Sequence, residues 1–299
     1  MDNKIAKRET KQNKPVLAIC YDFDKTLSPD DMQAQGYIQD VYGDNVAAFW
    51  EQTTAFSKKH EMDPNLAYMY MMIQEAEGKT LFTKGVLKKY GERVELFPGV
   101  ESWFERIRRY GEEHGVIVEH YIISSGLKEM IEGTIPAKNG AFKQIYASSF
   151  AYNDRGTVLW PAQAINYTNK TQFLFRIEKG VLDINDEGVN DYYEPDKLRV
   201  PFKNMVYIGD SATDIPCMKL VNSSGGHAIG VYNPNPKDGM EDKAKARVRK
   251  LLKENRIKYF APADYSEGSM IEDLLQKIIL KTSADSQLDD IMFDCQKDV

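Results

Sequence analysis

Apolar positions along the chain fall into two patterns. Four short, nearly unbroken runs, "VLAICY" (16–21), "VIVEHYIIS" (116–124), "NMVYIGD" (204–210) and "HAIGVY" (227–232), have the length and composition of strands buried on both faces. "IKYFAPA" (257–263) is a weaker fifth. Between and after them, apolar residues recur at helical spacing in "GVESWFERIRRYGEEHG" (99–115), "GLKEMIEG", "KTQFLFRIEKG", "GMEDKAKARVRKLLKEN" and "SMIEDLLQKIIL". Strands alternating with helices predict an α/β fold: a doubly wound, Rossmann-like parallel sheet built from residues 14–29 and 95–283.

Two stretches depart from this alternation. Residues 30–94 contain no strand pattern and read as helices, the second opening on Asp63 as N-cap with Pro64 in the first turn. This block is rich in methionine and aromatic residues, among them Trp50, Phe56 and Tyr68 to Met72, which suit the core of an inserted α-helical domain. Within 142–162, two β-like runs flank Asn153-Asp154-Arg155-Gly156, a hairpin signal. Residues 181–203 read as an acidic loop, and 1–13 and 284–299 as polar tails. Inside the loop, Asp183, Asn185, Glu187, Gly188 and Glu194 match calcium-loop positions 1, 3, 5, 6 and 12. Asn190 stands where that motif has an apolar residue, and Pro195 forbids a normal exit helix, so the expectation is a solvated loop.

Composition narrows the class of function. With 299 residues, 42% of them hydrophobic, the chain can bury a sizeable core. A net charge of −6 and a pI near 5.4 argue against nucleic-acid or acidic-membrane partners, which need a basic face. Cys20, Cys217 and Cys295 lie too far apart to suggest a disulfide framework or zinc site. No signal-peptide core or membrane-length apolar run is visible, so a cytoplasmic protein is expected. Oligomeric state is left open by the sequence.

Candidate chemistry gathers in "YDFDKTLSPDD" (21–31). Alone, Asp22 and Asp24 could be a metal site, a catalytic pair or the polar start of a turn. Ligands of open α/β sheets collect at the carboxyl ends of the strands. There the predicted topology also places Ser124, Ser125 and Gly126, then Asp210 with Asp214 four residues later, and Lys170 at the start of a helix. Two unit charges ~4 Å apart repel by about 4 kcal/mol at an effective dielectric near 20. Several such pairs would rival the roughly 5–15 kcal/mol stability of a domain. Some carboxylates must therefore be protonated, or a cation must sit among them. Oxygen ligands without His or Cys select Mg²⁺ over zinc. Along an extended strand Asp22 and Asp24 face one side and Phe23 the other, so one carboxylate can act as nucleophile while its neighbour moves protons. Ser124 and Lys170 can hold and neutralise a phosphoryl oxygen.

At these residues the chain resembles the haloacid dehalogenase-like (HAD) superfamily of phosphohydrolases. Its four motifs read here as "YDFDKT", "IISSG", "NKT" and "IGDSATD", in order, across about 15–232. The hairpin and "TNKTQFLFRI" look most like the phosphoserine-phosphatase branch, and the 30–94 block matches a C1-type helical cap. The resemblance implies Asp22 as nucleophile and metal ligand and Asp24 as general acid/base whose backbone carbonyl meets the metal. It implies Asp210 as a metal ligand, and Asp214 as a water-mediated ligand or the anchor of Lys170. Ser124, Ser125 and Lys170 would bind the phosphate of a small phosphorylated substrate. The same intermediate could serve a phosphotransferase or mutase; a partner-binding pseudoenzyme is the rival from another class.

Overall fold

The computed structural model describes residues 8–236 and 241–297. Seven strands among them form one sheet in the order β4-β3-β2-β1-β5-β6-β7. The strands are β1 (Val16–Tyr21), β2 (Ile117–Leu127), β3 (Gln144–Tyr152), β4 (Val158–Gln163), β5 (Met205–Gly209), β6 (His227–Tyr232) and β7 (Tyr259–Pro262). All neighbours pair in parallel except β3 and β4, the predicted hairpin, which is antiparallel. The helices are α1 (Tyr37–Tyr42), α2 (Val46–Lys59), α3 (Pro64–Ala76), α4 (Lys84–Gly91), α5 (Val100–Glu113), α6 (Lys128–Gly133), α7 (Ile135–Lys138), α8 (Lys170–Lys179), α9 (Ile215–Ser223), α10 (Glu241–Lys253) and α11 (Met270–Lys297). The Gly239 start expected for α10 lies outside the described residues.

The central strands are apolar throughout because both faces are covered, β1, β5 and β6 being buried at every position. One core joins Leu17, Ile19, Val206 and Ile208 to α5, α11 and the helices of the insertion; the other joins Ala18, Met205 and Tyr207 to α8, α9 and α10. From β1 the chain builds outward through β2 and β3, then returns to build outward on the other side through β5, β6 and β7. This reversal between β1 and β5 is the crevice where ligands of such sheets bind.

Residues 30–94 are helical, as expected. Asp63 caps α3 by accepting from the Asn65 and Leu66 amides, and Thr83 caps α4 through the Val86 amide. Tyr68, Met69, Met71 and Met72 are buried in this block. The β3–β4 hairpin reaches across to it: Lys84 N donates to Gly156 O at 3.1 Å and Val158 N to Phe82 O at 3.0 Å.

Three expectations need correction. The stretch 284–297 is not a loose tail but the last turns of α11, held by lysine–aspartate pairs such as Lys281–Asp285 and by Lys203–Asp289. Residues 8 and 9 are tied down, Arg8 donating to Lys179 O and Lys197 O and Glu9 pairing with Arg199. The acidic loop is not merely solvated. Its backbone carbonyls at Asp183, Ile184 and Asp186 close around the Arg176 guanidinium, and those at Val189 and Asp191 around the Lys179 ammonium. Val189 O, the position-7 carbonyl that a calcium loop would turn towards its ion, is engaged by Lys179 instead. Among the described residues, no helix is long and apolar enough to cross a membrane.

Candidate active site

The carboxyl end of β1 carries the first two candidates. Asp22 continues the ladder, its amide donating to Ile208 O at 2.9 Å, and its Oδ1 accepts from the Phe23 amide. Phe23 turns into the core, 1% exposed, and its carbonyl collects the amides of Thr26, Leu27 and Ser28, which bends the chain sharply away. Thr26 steadies this bend through its carbonyl, which accepts from Tyr265 Oη; its hydroxyl has no hydrogen-bond partner. Asp24 Oδ1 accepts from the Met32 amide at 2.9 Å.

The crevice brings the other candidates to this point. Asp22, Asp24, Ser124, Ser125 and Asp210 line one cavity of about 410 Å³, together with Pro64 and Asn65 from the start of α3 and with Arg247 from α10. Strand β2 does not end at Ser124 to start a helix, as the sequence suggests; it runs through a bulge to Leu127, and α6 begins at Lys128. Ser124 Oγ accepts from the Gly126 amide at 3.0 Å, and the buried Ser125 Oγ has no hydrogen-bond partner. A side chain at Gly126 would strike Met32 Cε at 2.3 Å and Asp24 Oδ2 at 2.9 Å, so only glycine lets the Asp24 carboxyl sit there.

Lys170 opens α8 and is fully buried. The turn before it is wound by Asn169, whose Oδ1 accepts from the Asn166 amide and whose Nδ2 donates to Ala164 O. Lys170 Nζ lies 3.0 Å from Asp22 Oδ2 and 2.8 Å from Asp214 Oδ1. Asp214 also accepts from Tyr207 Oη at 2.8 Å and from the Ser211 amide and hydroxyl at 3.2 and 3.1 Å. It tucks against Gly209, where a Cβ would meet its carboxyl at 2.6 Å; the glycine of "GD" is needed for that approach. Both oxygens of Asp214 are thus engaged by donors, and its side chain anchors Lys170.

Oxygens of Asp22, Asp210 and Asp214 lie within 4.8 Å of one another. The Asp24 carboxyl falls outside this group. Charge is not balanced here. Burial, then Asp214, push Asp22 up to about 7 against the pull of Lys170. Burial, then Asp31 and Asp22, hold Asp24 well above the usual carboxylate range. Burial, then Asp214 and Asp22, do the same to Asp210. At Asp214 burial is outweighed by Lys170 and Tyr207, and its carboxyl stays below its ordinary value. Burial opposes the Lys170 charge, yet Asp214 and Asp22 raise its affinity for its proton. An oxygen-only cluster whose carboxylates repel each other fits a hard divalent cation such as Mg²⁺.

Comparison with known proteins agrees with this architecture. The family model of haloacid dehalogenase-like hydrolases matches residues 19–219, about two thirds of the chain. The chain belongs to that family. It is 25% identical over 294 residues to a Borreliella burgdorferi protein described only as uncharacterized, covering 89% of this chain and 97% of that one. A probable phosphoserine phosphatase from Vibrio cholerae superposes with a TM-score of 0.55 at 13% identity, covering 92% of this chain and 67% of that one. A haloacid dehalogenase-family hydrolase from Salmonella enterica serovar Typhi superposes with a TM-score of 0.49 at 17% identity, covering 75% of this chain and 66%, just under two thirds, of that one. At 13% identity the likeness to the Vibrio cholerae protein is one of fold.

Several residues at the site escape motif reading. Tyr207 is hidden in an apolar strand, and only its hydroxyl hints at a buried partner. Tyr68, on α3, donates to Ser125 O at 2.7 Å. Asn166 donates to Asp63 Oδ2 at 2.6 Å and Asn65 to Ile165 O at 2.5 Å, which brings the start of α3 over the cavity.

Proposed function

We propose that the chain is a Mg²⁺-dependent phosphomonoester hydrolase for a small phosphorylated metabolite, working through an aspartyl-phosphate at Asp22. The observation that carries this reading is the contrast between neighbouring carboxyls. Asp22 touches the Lys170 ammonium, which pulls it towards the ionised, nucleophilic form against burial and Asp214, whereas burial, then Asp31 and Asp22, favour the protonated form of Asp24. Asp22 attacks phosphorus as the P–O bond to the leaving group breaks, and the Asp24 proton goes to the leaving oxygen. Asp24, now ionised, then takes a proton from the water that releases phosphate from Asp22. Ser124 and the unpartnered Ser125 hydroxyl can donate to phosphoryl oxygens, and Lys170 opposes their charge. Asp22 and Asp210 would hold the cation, with Asp24 contributing its backbone carbonyl. Asp214, which anchors Lys170, would contribute to the cation through water. When bound, the cation supplies charge neutralisation and orients the phosphoryl group. The helical block 30–94 serves as a cap that excludes water when the start of α3 rests on the loop before Lys170.

Phosphate release from a panel of phosphorylated metabolites and an aryl phosphate, with and without Mg²⁺, tests this. Turnover should require Mg²⁺ and disappear in Asp22→Asn while the fold persists. Retained turnover in that variant would rule the mechanism out.

A further inference from the structure

A second cavity, of about 640 Å³, adjoins the first at Asp210. Lys25, Asp210 and Arg247 line both, so the two meet at these side chains. None of the chemistry above uses this space. Leu96, Pro98 and Tyr232 give it an apolar side, and its charged lining is mixed, Lys25, Lys243 and Arg247 standing with Asp30, Glu95 and Asp210.

The two cations at the junction differ. Lys25 has a left-handed backbone, φ +58°, an unusual conformation for a side-chain-bearing residue, and Asp31 holds its ammonium at 2.8 Å. Arg247 stands opposite on α10, 55% exposed, its nearest nitrogen 3.6 Å from Asp210 Oδ2. That is an ion pair without hydrogen-bond contact. Asp210 is also the carboxylate best placed to hold a divalent cation, which would draw its charge away from Arg247. A guanidinium then remains at the meeting point of the two cavities, with a planar fork of donors suited to a carboxylate or phosphate.

We propose that Arg247 is a specificity-determining residue that binds a second anionic group on the leaving-group half of the substrate, so that the preferred substrates are phosphomonoesters bearing an additional carboxylate or phosphate. This deepens the hydrolase reading and rests on it for the position of the first phosphate.

Three esters on one short scaffold test it: propyl phosphate, 4-phosphooxybutanoate and propane-1,3-diyl bisphosphate. Their dissociation constants are measured by calorimetry on Asp22→Asn in Mg²⁺, with and without Arg247→Gln, and their kcat/KM values on the active chain. The expected result is that one or both doubly anionic esters bind more tightly than propyl phosphate. Arg247→Gln should cut that preference about 10-fold, the size of a lost charge-assisted hydrogen bond, and Arg247→Lys should restore part of it. Which ester loses more tells carboxylate from phosphate. Arg247 is more than half exposed, so its replacement does not disturb a core. An unchanged preference, or equal loss for all three esters, would overturn the inference while leaving the hydrolase reading intact. A preference that depends on Arg247 without any hydrolysis would count against the hydrolase reading alone. Failure of all three esters to bind would contradict both.

Discussion

Both edges of the sheet bury charge, and they do so in opposite ways. Near the amino ends of the strands, Glu119 on β2 takes both nitrogens of the fully buried Arg199 at 2.6 and 2.7 Å. Glu9 and Lys143 join them, and Tyr121 Oη donates to Glu119. Two acids face two bases there, and despite burial Arg199 holds the Glu119 carboxyl below its ordinary value. At the carboxyl ends, Asp22, Asp24, Asp210 and Asp214 gather near one fully buried base, Lys170, which touches Asp22 and Asp214, and three of the four carboxyls are pushed upward. Balanced burial of charge fixes a structure. An excess of carboxylates calls for a cation to complete it.

The comparison can be broken from either side. The largest effect is expected on catalysis: Asp22→Asn should lower kcat for an aryl phosphate by a factor on the order of 10³ or more, read from steady-state kinetics. At the balanced edge, Arg199→Met leaves Glu119 buried without its partner and should cost about 3–5 kcal/mol in urea unfolding. KM should hold at its wild-type value in the protein that remains folded. Asp210→Asn should have the opposite sign. Relieved of repulsion from Asp214 and Asp22, the metal-free chain should gain roughly 0.5–2 kcal/mol while losing its response to Mg²⁺, as thermal unfolding will show.

The smallest effect is on pH dependence. Asp22 titrates near 7 in the folded chain and at its ordinary low value when unfolded, so between these the folded state binds the extra proton. Its contribution to stability is therefore present at low pH and lost as pH rises through about 7. Metal-free wild type should gain on Asp22→Asn by about 1 kcal/mol between pH 8 and pH 6. Glu119, with a lowered carboxyl, works in reverse, contributing stability that is lost as pH falls towards and below the ordinary glutamate range.

Much of the carboxyl edge was legible in the sequence because its residues sit in short motifs at the ends of apolar runs. Asp22, Asp24, Ser124, Ser125 and Asp210 line one cavity as expected, and Lys170 and Asp214 meet beside it. What escaped depends on partners distant in sequence. Tyr207 looks like any strand residue until Asp214 folds back onto it, and Asp63 like any helix cap until Asn166 arrives from beyond β4. The balanced edge was invisible for the same reason, since Glu9, Glu119, Lys143 and Arg199 share no motif. The stretch 284–297 does carry apolar residues at helical spacing, Leu288, Ile291 and Met292, but they lie exposed rather than in the core, and pairs of charges four residues apart accompany its helix. The loop 183–194 was read as solvated because its acidic side chains say nothing about the buried arginine that its backbone carbonyls enclose.

The claim that the carboxyl edge is short of positive charge is tested most directly by titrating the metal-free chain with Mg²⁺ in a calorimeter, beside Asp210→Asn. One ion should bind per chain, with a rise in thermal midpoint and an affinity that falls about 10-fold per pH unit below about 7, where protons compete for Asp22. Asp210→Asn should show neither heat nor shift. An equal response in the two proteins, or none in the wild type, would contradict the account.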